Sequence, residues 1–207
     1  MENSLPVVII ALSSQARDCV SFYLSPRRCH CSGAFLLYRI SVWFVSLPPM
    51  KTNLLSKSDN DELSDRGRDE LFASNAYRYA ATCFLKQNLL GFVAFCRKES
   101  DTELTHRTKL ELFANDMGAE LEMYSIPPVE FKDETPMGIM KFLFKMENDL
   151  LKAYEKAWEE ADRIATKNLF QEMVEIQVEG VGEIGDLIAE IESVGIGFVN
   201  QRLLNAA

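Results

Sequence analysis

The chain has 207 residues, 47% of them apolar and 26% charged, which is the balance of an ordinary soluble globular protein. With 22 Lys and Arg against 31 Asp and Glu its formal charge is −9, which argues against a nucleic-acid partner, because displacing phosphate counterions takes a basic face. Five Cys, an odd and sparse count, argue against a disulfide scaffold and for a reducing compartment.

Residues 1–50 differ from the remainder. They hold four Arg, two acids and no Lys, a net +2 that leaves −11 for residues 51–207. The apolar run 5–12 is too short to cross a bilayer and the run 34–47 is broken by Arg39, so no membrane span is expected. The opening Met1-Glu2-Asn3-Ser4 lacks the positive n-region of a secretory signal. Two readings of this N-terminal extension stand. Few acids, several Arg and many Ser fit a transit peptide to a plastid or other organelle; alternatively, translation starts at Met50 and the protein is cytoplasmic. Cys29-His30-Cys31 has neither the spacing nor the second ligand pair of structural zinc.

Residues 51–207 read as one helical domain. Helix-forming composition over 61–88 is interrupted only by Gly67, at an interior cost of roughly 1 kcal/mol. After a short break at 88–91, apolar residues recur at helical spacing from Phe92 to Gly118. A turn that short makes the two helices antiparallel neighbours. Residues 119–134 contain Pro127-Pro128 and no period, and then Thr135 and Pro136 offer an N-cap and a first-turn proline. A third helix runs past Trp158, a fourth from about Leu169 to Gly195, and 198–204 make a brief fifth. About 16 extended residues reach roughly 50 Å, more than the roughly 42 Å of a 28-residue helix. The link after the second helix can therefore cross the whole bundle. The expected fold is all-α, a ferritin-like four-helix bundle with one long crossover and a short C-terminal helix.

Several polar residues within these helices need a partner. Glu103-x-x-His106 places a carboxylate and an imidazole on one helix face. Glu70 and Glu103 lie at similar distances from the first turn, so an antiparallel hairpin brings them to one depth, and Tyr77 shares the face of Glu70. Glu147 stands among Phe144, Met146, Leu150 and Leu151, and Gln177 between Ile176 and Val178. Inward carboxylates cost roughly several kcal/mol each unless they are paired or metal-bound, and a shared cation resolves that cost.

These residues resemble the ferritin family over about residues 61–205. The resemblance rests on Glu70-Leu71-Phe72-Ala73-Ser74 with Tyr77, on Glu103-x-x-His106, on Met146-Glu147, and on Gln177-Val178 followed by Glu183-Ile184-Gly185-Asp186. The tail Gly195-Ile196-Gly197-Phe198 is similar to the last helix of bacterial and algal members. The resemblance implies a ferroxidase: Glu70, Glu103 and His106 hold one iron, and Glu103 bridges to a second iron held by Glu147. It further implies that Gln177 orients the second site, that Tyr77 donates electrons, and that Fe(II) is oxidised by O2 and stored as Fe(III) in a homo-oligomeric cage of twenty-four subunits. Hard carboxylates and one imidazole suit that chemistry. A single E-x-x-H does not match the symmetric site of bacterioferritins and rubrerythrins.

The chain also departs from the family. The interval from Glu147 to Gln177 is short: equal depth centres its turn near Asp162, whereas composition points to 166–168, which leaves Glu175 as a substitute for Gln177. Thr102, Thr105 and Thr108 replace the acids that nucleate mineral in animal ferritins, so mineralisation is slow or uses other acids. Lys167 and Phe170 stand where members carry acids of the three-fold pore. Two alternatives therefore remain beside the ferroxidase: a catalytically silent cage or scaffold subunit, and a helical interaction module whose acids are merely hydrogen-bonded. The Met residues read as core filler or surface, Cys83 and Cys96 as small buried or surface thiols, and 155–162 as a solvated helix face.

Overall fold

A computed structural model of the protein describes residues 52–206. The transit-peptide and Met50 readings and the Cys29-His30-Cys31 run lie outside the described residues. Five helices form: α1 (Lys57–Lys86), α2 (Leu90–Asp116), α3 (Pro136–Glu160), α4 (Ile164–Val194) and α5 (Ile196–Ala206). There is no strand among the described residues, and no helix there is long and apolar enough to cross a membrane.

Local chemistry sets the helix ends. Ser56 accepts from the Asp59 amide at 3.0 Å, so α1 starts four residues earlier than its composition suggests. Thr135 caps α3 through the Gly138 amide at 3.1 Å, with Pro136 in the first turn as expected. The α1–α2 turn is closed by Asn88 in the left-handed region at φ 58°, and Gly118 at φ 76° ends α2.

The α3–α4 turn falls at residues 161–163, where equal depth puts it and not where composition does. The reason is a long-range bond. Buried Asp59 of α1 accepts from the Asp162 amide at 3.0 Å and from the Thr166 hydroxyl at 3.1 Å, which draws Thr166 into the core as part of α4. No local sequence signal carries that information.

Helix α1 packs chiefly on α2, and α3 on α4. Residues 117–135 connect the two hairpins along the bundle. Phe131 stacks on Tyr79 and meets Phe142 edge to face, with centroids 5.0 and 4.9 Å apart, and so pins this crossover to α1 and α3. Leu121 lies against Gly67, where a Cβ would stand 3.1 Å from its methyl; that close approach accounts for a glycine inside α1. Bonds from Tyr77 to Glu147 and from Tyr154 to Glu70 set α1 and α3 antiparallel, so α3 runs parallel to α2, the topology of a one-crossover bundle.

Two apolar clusters fill the interior. One, containing Phe84, Phe92, Leu143 and Val199, occupies the α1–α2 turn end with α5. The other, containing Leu63, Leu110, Phe170 and Met173, occupies the opposite end. On every helix of the bundle the candidate polar residue falls between the residues of these clusters: Glu70, Glu103, Glu147 and Gln177 form a buried layer across the middle.

Candidate metal centre

The layer starts with the α1–α2 hairpin. Glu103 and His106, three residues apart, present one face of α2, and Glu70 meets them from α1. His106 Nδ1 stands 3.1 Å from Glu103 Oε2 and 3.8 Å from Glu70 Oε2. One ligand atom from each of the three lies within 4.8 Å of the others. Glu70 is wholly buried and Glu103 nearly so. Opposite them, a cavity of about 310 Å³ is lined by Glu103, His106, Tyr77, Glu147 and Gln177, with Glu99 and Glu183 further along its wall. Glu147 is not part of the tight three-residue group; its Oε1 accepts from the Tyr77 hydroxyl at 2.5 Å.

Burial governs the electrostatics. Desolvation lifts the Glu103 carboxyl to about 8, aided by neighbouring Glu70 and opposed by His106. Desolvation likewise lifts Glu147 to about 8, with the Glu103 charge adding to it and the Tyr77 hydroxyl opposing it. Burial disfavours the His106 imidazolium, but the carboxylates of Glu103, hydrogen-bonded to it, and of nearby Glu70 outweigh that and carry the group up to about 10. Burial next to Glu147 pushes the Tyr77 phenol well above its ordinary range, so it remains a proton donor.

Among the buried oxygens without a hydrogen-bond partner are Glu70 Oε2 and Gln177 Oε1 in this layer and Glu99 Oε1 on the cavity wall. An orphaned acceptor in a dry interior costs about 1–3 kcal/mol, and a hard cation bound there would relieve it. Three carboxylates, one imidazole and an amide oxygen make a donor set suited to iron.

A family model for the ferritin-like domain matches residues 60–194, more than half of the chain. The chain belongs to the ferritin family. A soma ferritin of Lymnaea stagnalis is 28% identical over 136 residues, which cover 62% of this chain and 78% of that protein. An open-pore ferritin from the archaeon Archaeoglobus fulgidus superposes with a TM-score of 0.70 at 21% identity, covering 73% of this chain and 98% of its own. A humanized archaeal ferritin superposes at 0.69 with 22% identity, covering 72% and 95%. Family and fold together support iron storage as the general role.

Within this ferritin, Gln177 is buried on the cavity wall, whereas Glu175 is exposed and accepts from Gln171 at 3.3 Å. Thr102, Thr105 and Thr108 each return a hydroxyl to the carbonyl one turn back, which keeps Thr105 and Thr108 tied to their own helix as exposed residues. Phe170 is fully buried beside Tyr154, and Lys167 lies over the Trp158 ring at 5.6 Å.

Sequence reasoning missed three residues. Tyr154, on α3, donates to Glu70 Oε1. Its signal is the spacing: Tyr154 follows Glu147 by the seven residues that separate Tyr77 from Glu70. Glu99 stands one turn from Glu103, 3.2 Å from Lys98, and its carboxyl is raised by burial, with Lys98 opposing and Glu183 reinforcing. Glu183, within the Glu183-Ile184-Gly185-Asp186 stretch of α4, also stands on the cavity wall.

Proposed function

We propose that this ferritin is a ferroxidase subunit, oxidising Fe(II) with O2 at a pair of iron positions and delivering Fe(III) to a cage of twenty-four copies. The observation that carries the reading is the group of buried Glu70 and Glu103 with half-buried His106, in which Glu70 Oε2 has no hydrogen bond and Glu103 and His106 line a cavity with Glu147 and Gln177. In this reading the three hold one ferrous ion. Glu103 reaches across to the second, which Glu147 binds and Gln177 Oε1 orients. Each ferrous ion gives one electron to O2. Tyr77, hydrogen-bonded to Glu147, stands beside the pair as a further electron donor. Metal-free Glu103 and Glu147 carry protons near neutral pH, so binding two dications expels them.

A silent cage subunit is the second reading, favoured by the exposed threonines where animal ferritins place acids. The intact donor set weighs against it, because a site no longer used has no reason to keep four ionisable groups in a dry layer. Glu103→Ala separates the two. It should slow Fe(II) oxidation by more than about 100-fold, since even outer-shell partners of a metal are worth about 10–100-fold, while circular dichroism shows an intact bundle. Equal rates in wild type and variant reject the ferroxidase. An organelle address for residues 1–50 belongs to the same proposal, with a cytoplasmic one as its alternative. Fusing that segment to a fluorescent reporter tests it.

A further inference from the structure

Glu70 and Tyr77 on α1 are seven residues apart, and so are Glu147 and Tyr154 on α3. Seven residues are two helical turns, so within each pair both side chains share a face. Because the helices are antiparallel, each tyrosine meets the other helix's carboxylate: Tyr77 donates to Glu147 Oε1 and Tyr154 donates to Glu70 Oε1. Tyr154 is wholly buried, with its ring against Phe170 at 6.1 Å between centroids. A phenol on two torsions, packed on all sides, is a stiff arm. It occupies one oxygen of Glu70 and leaves the other, Oε2, without a hydrogen bond and facing His106 Nδ1 at 3.8 Å.

We propose that Tyr154 is a positioning residue that fixes Glu70 as a one-oxygen ligand for a divalent cation, the counterpart on α3 of Tyr77 on α1. A carboxylate with both oxygens free pivots about its terminal bond and can chelate an ion; one engaged at Oε1 presents Oε2 alone, at a set angle toward Glu103 and His106. The inference rests on the metal reading of the site given above. It adds that the order of the first position is built by a residue that never touches the ion.

The test is an anaerobic Co(II) titration of the full chain, read by calorimetry and by visible ligand-field absorption. Tyr154→Phe should weaken the tighter Co(II) by about 10–100-fold and lower the absorption per ion, as Glu70 turns to chelate and the coordination number rises. Replacement of Tyr154 by 3-fluorotyrosine keeps the donor and should restore the wild-type spectrum, which a role in core packing alone would not require. Wild-type uptake with an unmoved Y154F isotherm and spectrum overturns the clamp alone. A wild type that binds no Co(II) dependent on Glu103 overturns the clamp and the ferroxidase together. Should Y154F fail to fold, infrared difference spectra of wild type and Glu70→Gln on Co(II) binding decide: wide splitting of the Glu70 carboxylate bands supports one-oxygen binding, and the narrow splitting of a chelate overturns it.

Discussion

The two hairpins contribute unequally to the buried polar layer. The α1–α2 hairpin brings Glu70, Glu103 and His106 within 4.8 Å, a set able to hold a cation as it stands. The α3–α4 hairpin offers Glu147, engaged by Tyr77, and Gln177, whose oxygen is unpartnered. One half gathers its donors in the metal-free fold; the other does not. The contrast has a physical origin. Glu103 and His106, on one helix, pair with each other at 3.1 Å and so tolerate burial together, whereas a lone carboxylate must either borrow a phenol or stay protonated.

The largest expected effect breaks this asymmetry from the assembled side. Glu70→Ala removes the only donor of the three-residue set that comes from α1 and should weaken the first Zn(II) by at least about 100-fold. Because Glu103 and His106 then lack their third donor, the second ion should be lost with it. Glu147→Ala should leave one Zn(II) per chain near wild-type affinity. Calorimetric stoichiometry checks both variants; one ion retained by Glu70→Ala, or none by Glu147→Ala, would show that the halves are equivalent.

Titration of the metal-free protein sharpens the same contrast. Burial, with help from neighbouring acids, lifts Glu103 and Glu147 from about 4.5 to about 8, and against burial the carboxylates of Glu103 and Glu70 lift His106 from about 6.5 to about 10. The folded chain therefore binds more protons than the unfolded chain across that window, and stability must fall as pH rises. The contribution is complete below about pH 4.5, declines through pH 8 as the carboxyls ionise, and declines further to pH 10 as His106 loses its proton. Zn(II) competes with those protons, so its stabilising effect should grow with pH. Melting temperatures between pH 5 and 9, with and without Zn(II), check this. A metal-free midpoint that climbs over this range contradicts the protonation of the layer.

Much of this arrangement was legible in the sequence, for reasons that also explain the gaps. The E-x-x-H of α2 is local, and the depth match of Glu70 to Glu103 needs only a short turn and a constant rise per residue. Gln177 follows from the same arithmetic once the α3–α4 turn is centred near Asp162. Composition misplaced that turn because the residue that fixes it, Asp59, is more than one hundred positions away. Tyr154 was hidden differently: an aromatic on an apolar face reads as core, and only its partner across the bundle gives the hydroxyl a purpose.

Asp59 itself offers the next prediction. Its carboxylate joins α1 to the start of α4 through Asp162 and Thr166, so it holds the less assembled hairpin against the more assembled one. Asp59→Ala should cost about 1–3 kcal/mol of stability by chemical denaturation, the penalty for stranding buried polar groups. Hydrogen exchange should quicken at the start of α4 while α1 and α2 stay protected around Glu103. Uniform loss of protection along the bundle would mean that the hairpins do not respond separately.

The smallest effect concerns Gln177, and there stability and binding should part company. Its side-chain oxygen is buried without a partner, so the metal-free fold carries a cost that an apolar residue of similar size would not. Gln177→Leu should leave the metal-free protein equally stable or slightly more stable. The second Zn(II), deprived of the oxygen that faces it, should weaken by about tenfold, the low end for an orienting group, while the first ion held by Glu70, Glu103 and His106 is unaffected. Paired thermal melts and calorimetric titrations resolve the two quantities. A variant that melts several degrees lower with both ions bound as in wild type would make Gln177 a structural residue of the α3–α4 hairpin. A stable variant short of only its second ion would show that this hairpin accepts a standing cost in the empty fold because the ion relieves it.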